Sequence, residues 1–437
     1  MSQNFLPVRN YKGTRDFYPE DMLFRNWYFS KVRNAVESFG YEEYHGPLLE
    51  SFDVYAAKSG EEVVNEQLYS FEDKKNRRLV IRPEMTPTVA RMVAAKLEQM
   101  TFPLRWFSIA NFMRYEQPQK GRLREHWQVN VDAFGSNNIH GELEILSIIN
   151  AIMMEFGAPR ISFKIKINNR KFFNDVLTHI LKVKDENVRM VAKAVDRRAK
   201  ISREAYDSWL GELGLAQEKV ELLDRIFSSS LDEIIAMFDA PSEGAEELSS
   251  LFDLIKKAGL GDICEFDFAI IRGFDYYTGT VFEVYDTSPE NRRSLFGGGR
   301  YDNLVNLFKK ANVSGIGFGL GDVTFQNFLE THELVPENLI TKKRVLITRF
   351  KEVAYEEYFK LSDKLRQGGI ANSIYIEDNF KLGKQIAFAE KKAFDGVIVM
   401  GEDELKKGEV TFKHLARKSQ DILPIDTLAE KLKELLG

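Results

Sequence analysis

The spacing of apolar residues along the chain predicts helices and strands before any chemistry is considered. Between Asp21 and Phe39 apolar side chains recur at helical spacing, and Gly40 follows, which predicts an amphipathic helix. A second helix is predicted to begin with Thr86 as its N-cap and Pro87 at its first position. The runs PLRWFSIANFMRYE and HWQVNVDAFG alternate with a period of two and predict two paired strands.

The predicted secondary structure changes in type twice along the chain. Residues 170–260 hold charged helical segments with few strand signals, which predicts a helical insertion. Strands return with EFDFAIIRGFDYYTGTVFEVYD, and the stretch HELVPENLITKK is typical of a linker. An alternating β/α series then predicts a small α/β domain. We therefore expect a first domain over 1–330, interrupted by the insertion at 170–260, and a second domain over 341–437.

Composition narrows the class of protein. The 437 residues are 44% hydrophobic, which suffices for more than one core. Lys plus Arg total 61 against 66 for Asp plus Glu, so a nucleic-acid binder would need local basic patches. The single cysteine, Cys264, has no disulfide partner and no Cys/His cluster for zinc, which predicts a buried structural thiol. The N-terminus lacks a secretion signal and no apolar run is long enough to span a bilayer, so we expect a cytoplasmic protein.

The two alternating runs flank a loop that concentrates positive charge. This loop carries Lys120, Arg122 and Arg124 and suits phosphate groups. On the alternation of the first run, Arg114 and Glu116 share one face of the predicted strand.

In the second predicted strand, Gln128, Asn130 and Asp132 share one face and the opposite face is apolar. The polar face is compatible with two interpretations. It either lines a polar pocket or is solvated, as is routine in antiparallel sheets.

Three other features also have two interpretations each. Glu84 either interacts with the positive end of the following helix or belongs to a site. The segment GGGRYD is either a flexible turn or a functional element. Arg272 and Asp275 form either a structural ion pair or part of a reaction centre.

The order of these motifs resembles the histidyl-tRNA synthetases, a family of class II aminoacyl-tRNA synthetases. The most specific segments are RGFDYYTGTVFE and RYEQPQKGRLRE, and RPEMTP, GGGRYD and GPLLE support them. The likeness covers nearly the whole chain. It implies an α+β catalytic domain with a mixed, mostly antiparallel sheet, a helical insertion, a C-terminal α/β domain like those that bind anticodons, and a homodimer formed near Pro47.

The resemblance also implies a reaction and a set of site residues. L-Histidine and ATP would form histidyl-adenylate, with Mg²⁺ offsetting phosphate charge, and the histidyl group would then pass to histidine tRNA. The histidine-binding residues would be Glu84, Thr86, Arg114, Gln128, Asp132, Arg272, Tyr276 and Tyr277. The ATP-binding residues would be Arg114, Glu116, Arg122 and Arg272. The residues that approach the tRNA acceptor end would be Gln119 and Arg124.

Among these residues, Arg114 and Arg272 are expected to be catalytic. The substrate carboxylate itself attacks the α-phosphorus, so the protein needs no nucleophile and acts by positioning and by neutralising charge. A guanidinium suits this task because it stays charged and can bind two oxygens at once.

The chain departs from the family where class II motif 3 usually ends in a Glu-Arg pair that contacts the ATP γ-phosphate. Asp322 and Val323 stand at that place. Either Arg122, Arg300 or a second magnesium ion covers the γ-phosphate, or ATP binds less tightly.

Two other functions are compatible with parts of the sequence. One is a catalytically inactive synthetase paralogue that serves as a histidine-sensing regulatory subunit, which the departure in motif 3 keeps open. The intact RGFDYYTG segment and the C-terminal domain favour the enzyme. The other is a prolyl or threonyl synthetase, against which DYYTGTVFE and the lack of a zinc-binding set argue.

Overall fold

The computed structural model describes residues 6–56, 63–119, 121–198, 201–271, 276–337, 339 and 343–436. The chain divides into two compact units, Met1–Glu337 and Asn338–Gly437. None of the described helices is both long and apolar enough to cross a membrane.

The first unit combines a large sheet, a small sheet and helices. Its strands are β1 (Glu42–Glu43), β2 (Leu49–Ser51), β3 (Tyr69–Glu72), β4 (Arg78–Ile81), β5 (Leu104–Met113), β6 (Glu125–Phe134), β7 (Phe163–Asn169), β8 (Cys264–Phe266), β9 (Thr280–Asp286), β10 (Ser294–Arg300) and β11 (Gly315–Gly321). Its helices are α1 (Pro19–Glu37), α2 (Phe52–Ala56), α3 (Thr86–Ala95), α4 (His140–Glu155), α5 (Arg170–Asp175), α6 (Asp185–Arg197), α7 (Arg203–Glu212), α8 (Gln217–Ile226), α9 (Leu231–Ile235), α10 (Glu243–Lys257) and α11 (Asp322–Thr331).

The large sheet has eight strands in the order β1-β5-β6-β11-β10-β9-β7-β8. The β1–β5 and β7–β8 pairs are parallel, and the other five neighbouring pairs are antiparallel. This confirms the predicted mixed, mostly antiparallel sheet. The small sheet has the order β2-β4-β3 and lies beside α2 and the loop that leads into α3.

Each face of the large sheet packs against a different set of side chains. On one face, α1, α4 and α11 cover an apolar layer that includes Val129 and Val131, and the helices of 170–260 contribute to the same continuous core. On the other face, a smaller cluster includes Val89 of α3 together with Tyr276, Tyr277 and Tyr301. The polar face of β6 is therefore turned toward tyrosines rather than toward water.

The glycine-rich segments are strands of the sheet, so the interpretation of GGGRYD as a flexible turn is wrong for its glycines. A Cβ on Gly298 would lie 1.9 Å from the carbonyl oxygen of Gly317. A Cβ on Gly317 would lie 2.5 Å from Asp132 Oδ1, and one on Gly319 would lie 2.2 Å from Gln128 Nε2. The glycines thus leave the space that the polar side chains of β6 occupy.

Local details correct two predictions. Thr86 is the first residue of α3 rather than its N-cap, and the N-cap Met85 makes no side-chain capping bond. Strand β5 ends at Met113, so Arg114 and Glu116 lie beyond it and do not share a strand face. Arg114 N still donates to Arg124 O in the register of β5 and β6, and the backbone leaves the ladder after it, where Glu116 N turns back to Arg114 O.

The second unit is a five-stranded sheet flanked by helices. Its strands are β12 (Arg344–Ile347), β13 (Ala371–Ile374), β14 (Gly396–Val399), β15 (Glu409–His414) and β16 (Ser419–Pro424). Its helices are α12 (Tyr355–Gln367), α13 (Leu382–Lys391), α14 (Glu402–Lys407) and α15 (Leu428–Leu436). The order is β13-β12-β14-β15-β16, with the first three strands parallel and the last two antiparallel. The sequence pattern predicted the parallel part and missed the β15–β16 hairpin.

The close approach of β10 and β11 generates a testable prediction. We expect Gly298→Ala to lower the free energy of unfolding by at least about 3 kcal/mol, because the new methyl group overlaps a backbone oxygen that cannot move away. The matched control is Gly211→Ala in α7, where nothing lies within 4 Å of the added Cβ and alanine favours a helix. Differential scanning calorimetry of both variants measures the effect. Equal thermal midpoints for the two variants would contradict this packing.

Candidate active site

The centre of the candidate site is a buried carboxylate, Asp132, on the polar face of β6. Its side chain is 1% exposed. The hydroxyl of Tyr301, at the end of β10, donates a hydrogen bond to Oδ1. The other oxygen, Oδ2, is buried, and no described residue meets hydrogen-bond geometry with it, although the buried hydroxyl of Tyr44 lies near the carboxylate. A buried acceptor in this state favours a ligand that brings a donor.

Burial raises the pKa of Asp132 to about 7, and the nearby hydroxyls of Tyr301 and Tyr44 oppose the shift. The carboxyl therefore changes its charge near neutral pH. A carboxylate removed from water can be stabilised by a cationic or N–H donor that reaches Oδ2.

Two adjacent tyrosines connect this carboxylate to a second one. The ring of Tyr276 packs edge-on against Tyr301, with centroids 5.9 Å apart, and lies 4.8 Å from the ring of Tyr277. The Tyr276 hydroxyl donates to Glu84 Oε2 at 2.9 Å. Glu84 and Asp132 thus face one tyrosine-lined pocket from two elements that are distant in sequence. Glu84 therefore does more than interact with the positive end of α3, because it also accepts the hydrogen bond from Tyr276.

The loop between β4 and α3 and the strand β6 form the rest of the pocket. Thr86 is buried in the first turn of α3. Arg82, which sequence reasoning missed, is 1% exposed and holds this loop because its guanidinium donates to Asn111 O and Gly46 O. On β6, Gln128 Nε2 donates to Asn130 Oδ1 at 2.8 Å. The polar face of β6 is therefore an ordered wall rather than a solvated surface.

A cluster of positive charge lies toward the other end of β6. Arg114 Nε donates to Pro83 O at 2.9 Å, next to Glu84. Arg122 Nε lies 2.7 Å from Glu116 Oε2. Partial burial and the charges of Arg114, Arg15 and Arg122 lower the pKa of His126 to about 3, so this ring is neutral.

The two residues expected at the tRNA acceptor end differ in exposure. Gln119 is exposed in the loop between β5 and β6, where its Oε1 accepts from Arg293 at 2.9 Å. Arg124 is buried, donates to Glu116 O and to the Tyr11 hydroxyl, and lies over the Tyr115 ring. Gln119 is the better placed of the two to meet a partner molecule.

Other predicted positions lie outside the described residues. Arg272 and Asp275, which carry the expectation of a catalytic cation, belong to this group, as does Lys120. Their roles remain predictions. The described segment that follows them begins with Tyr276 in the pocket.

Arg300 is not a candidate for binding a phosphate. Its guanidinium forms two hydrogen bonds of 2.6 Å to the carboxylate of Glu142 and a third to Ser136 O. The side chain of Arg300 is 11% exposed, and Glu142 is buried. The suggestion that Arg300 covers the γ-phosphate is therefore wrong, because all of its strong donors are used inside the protein.

The second unit carries an aromatic and basic surface at the carboxyl ends of its parallel strands. Arg349, which follows β12, lies 5.0 Å from the ring centroid of Tyr355 and 5.4 Å from that of Phe380. Buried Gln385 fixes this loop by accepting from Arg349 N and donating to Arg349 O. Rings and a guanidinium held in this way can stack on unpaired bases.

Comparison with known proteins bears on the assignment of these two units. The family model for histidyl-tRNA synthetase matches residues 13–322, and the model for the anticodon binding domain matches residues 341–435. The chain belongs to the histidyl-tRNA synthetase family. This confirms the resemblance drawn from its motifs.

Curated relatives of this synthetase-family chain match over nearly their full length. The histidine–tRNA ligase of Leptospira biflexa is 46% identical, with all of both chains covered. That of Thermoplasma volcanium is 34% identical, with 98% of this chain and 99% of the relative covered.

Solved structures of histidyl-tRNA synthetases have the same fold. The structure from a Nostoc species has a TM-score of 0.77 at 22% identity and covers 98% of this chain and all of that chain. The apo enzyme from S. aureus has a TM-score of 0.74 at 23% identity, with the same coverage.

Two further observations concern metals and thiols in this synthetase-family chain. Within the described ranges, no group of three or more His, Cys, Asp or Glu side chains is placed to hold a metal ion. Cys264 is buried and free, as predicted, and burial raises the pKa of its thiol to about 12. It is therefore a neutral thiol that packs in the core.

The pKa of Asp132 generates a prediction about stability. Because the folded pKa is about 7 and the ordinary value is 3.8, the cost of burying ionised Asp132 begins near pH 4, grows as the pH rises, and reaches its full value above about pH 7. Asp132→Asn keeps an acceptor for Tyr301 and removes the charge. We expect it to raise the thermal midpoint at pH 8, by an amount equivalent to a few kcal/mol. This gain should fall by more than half at pH 5.

Thermal melts of wild type and variant over this pH range measure the difference. Asp426→Asn serves as the control, because Asp426 is an exposed carboxylate whose pKa is lowered by Lys364, and it should give no such gain. A gain for Asp132→Asn that grew on acidification would contradict the assigned cause.

Proposed function

We propose that this chain ligates L-histidine to histidine tRNA in two steps, with ATP consumed and histidyl-adenylate as the intermediate. The observation that carries the proposal is the buried Oδ2 of Asp132, which has no donor among the described residues and lies in a tyrosine-lined pocket. Family membership and the names of the full-length relatives support the same reaction.

The tyrosine-lined pocket would bind histidine through both ends of the amino acid. Asp132 would accept an imidazole N–H, with Gln128 and Tyr277 completing the contacts around the ring. Glu84 and Thr86, at the start of α3, would hold the α-amino group, while Tyr276 would enclose the ring. Discrimination follows because an amino acid without an N–H at this position would leave a buried acceptor unpaired.

Activation of histidine would rely on positioning and charge. Arg114 and Arg272 would bridge the substrate carboxylate and the α-phosphate, so that the carboxylate oxygen attacks the phosphorus in line and pyrophosphate leaves. Arg122 and Glu116 would contact ATP. Mg²⁺ binds mainly through substrate phosphates, water and one or two carboxylates, and Glu116 fits that mode. When bound, the ion offsets charge on the pyrophosphate.

The partner would be histidine tRNA. Gln119 and Arg124 would meet its acceptor end, and the surface of Arg349, Tyr355 and Phe380 would stack on unpaired anticodon bases. In this arrangement 1–330 is the catalytic domain, interrupted by the helical insertion at 170–260, and 341–437 binds the anticodon.

Two expectations about assembly and location belong to the same proposal. The functional protein would be a homodimer formed near Pro47. It would act in the cytoplasm, a reducing compartment in which the free thiol of Cys264 persists. The regulatory-subunit alternative finds no support in the relatives, which carry the name of the ligase.

The loss of Arg272 should affect the activation step directly. Histidine-dependent exchange of pyrophosphate into ATP should occur with wild type and Mg²⁺, and Arg272→Ala should reduce turnover by at least about 100-fold because charge at the α-phosphate is no longer neutralised. Affinity for histidine should change by less than about threefold, since the pocket keeps Asp132 and its tyrosines.

The control for this assay is substitution of the amino acid. Proline or threonine in place of histidine should support no exchange. Wild type that binds histidine but catalyses no exchange would identify a regulator instead of a ligase. Full activity of Arg272→Ala would remove that residue from the reaction centre.

The two units are expected to carry separate functions, histidine activation in the first and tRNA binding in the second. A truncation ending at Leu339 should retain pyrophosphate exchange, because the first unit has its own core, and should lose most of its tRNA charging. In the full chain, Arg349→Ala should raise the KM for tRNA by about 10-fold and leave exchange unchanged. Charging that survives the truncation unaltered would contradict the anticodon assignment.

A further inference from the structure

We propose that Arg15 binds the pyrophosphate end of ATP, with Asp322 as the residue that positions it. The inference rests on the proposed function and names a residue that none of the sequence motifs identified. It also explains how a chain with Asp322 and Val323 in place of the usual Glu-Arg pair can still grip the outer phosphates.

The segment before Arg15 is fixed to the base of the loop between β5 and β6. Gly13 O accepts hydrogen bonds from Arg124 N at 2.9 Å and Glu125 N at 3.0 Å. Gly13 has a φ of +88°, and a Cβ there would lie 2.8 Å from the Arg124 side chain and 3.0 Å from Pro118. The segment is therefore attached to Pro118, Arg124 and Glu125 at the base of that loop.

Asp322 holds Arg15 at this corner. It is the first residue of α11, directly after β11, where a carboxylate is favoured by the helix dipole. Its Oδ1 accepts from Trp127 N at 3.0 Å, and its Oδ2 accepts from Arg15 Nη2 at 2.5 Å. The side chain of Arg15 remains 25% exposed, so its other donors are accessible to a ligand.

Three guanidinium groups converge on this region. Arg15, Arg114 and Arg122 all act electrostatically on the single ring of His126. Two carboxylates, Glu116 and Asp322, pair with Arg122 and Arg15. The neutral His126 adds no charge, so the cluster keeps a net positive charge and suits a polyanion such as a triphosphate.

The sheet register gives the direction of the bound ligand. Asp132 pairs with Gly317 and Gln128 pairs with Gly321, so Asp322 lies beyond Gln128. From Asp132 to Trp127 the strand extends by about 17 Å. When the imidazole of histidine contacts Asp132, only the part of the bound histidine and ATP that is most distant from the imidazole can contact Arg15. The phosphates beyond the α-phosphate are the anionic groups at that distance.

Equilibrium binding of AMP, ADP and ATP, each with Mg²⁺ and without histidine, tests the proposal. For Arg15→Ala in the full chain we expect the Kd of ATP to rise by about 10- to 100-fold and that of AMP to change by less than about twofold. Arg15→Lys should restore part of the loss. Asp322→Asn should give a smaller loss with the same preference for ATP, because it misplaces Arg15 without removing it.

The matched control is Arg105→Ala, which breaks another arginine–carboxylate pair, the two hydrogen bonds of Arg105 with Glu144, away from the cluster. It should leave all three affinities unchanged. If Arg15→Ala weakens the binding of AMP and ATP equally, the role of Arg15 is structural. If it weakens neither, Arg15 does not contact the nucleotide. Either result overturns this inference and leaves the proposed function standing. Wild type that binds no ATP would overturn the proposed function as well.

Discussion

A carboxylate buried in the middle of a sheet requires a donor or a proton, and the arrangement around Asp132 meets that requirement only halfway. Tyr301 donates to one oxygen, and the other, Oδ2, accepts no hydrogen bond from the described residues, which favours a ligand that brings a donor. Strand β11 pairs beside β6 and leaves room for the side chains of Asp132 and Gln128, because Gly317 and Gly319 carry no side chain that would overlap them. The glycines, the tyrosines and the carboxylate therefore depend on one another for their positions, and a change in any of them alters the pocket.

The face of β6 provides two different environments along its length. At one end the polar groups are buried, desolvated and surrounded by tyrosine rings, which suits recognition of a flat heteroaromatic side chain. At the other end arginines dominate, and their charge suits phosphates. An amino acid and a nucleotide laid along the strand would meet at Arg114, next to Glu84. Geometry of this kind supports catalysis by positioning rather than by a nucleophile of the protein.

The sequence predicted the parts of this construction that depend on local periodicity. Alternation placed Gln128, Asn130 and Asp132 on one face of β6, and the structure shows the same arrangement. It could not predict contacts between distant segments. Tyr301 meets Asp132 across 169 positions and Arg15 meets Asp322 across 307, and no periodic pattern encodes such pairings.

The local errors have equally physical causes. Thr86 has the composition of an N-cap, but the tertiary packing of the pocket starts the helix at this residue and buries it. The predicted strand through Glu116 ends early because the chain turns after Arg114, where Glu116 N donates to Arg114 O, and forms the charged loop. Both departures occur at the candidate site, and sites are where tertiary requirements commonly override local preference.

The most direct test of the central claim is a calorimetric titration of L-histidine into wild type and Asp132→Asn at pH 8. The variant keeps the hydrogen bond with Tyr301, so it should fold, but it places an NH2 donor where Oδ2 stood and therefore loses both the negative charge and the acceptor offered to the imidazole. We predict that the Kd of histidine rises by about 10- to 150-fold, as expected for one lost charge-assisted hydrogen bond. Affinity within about twofold of wild type would contradict the account, because histidine would then be recognised elsewhere.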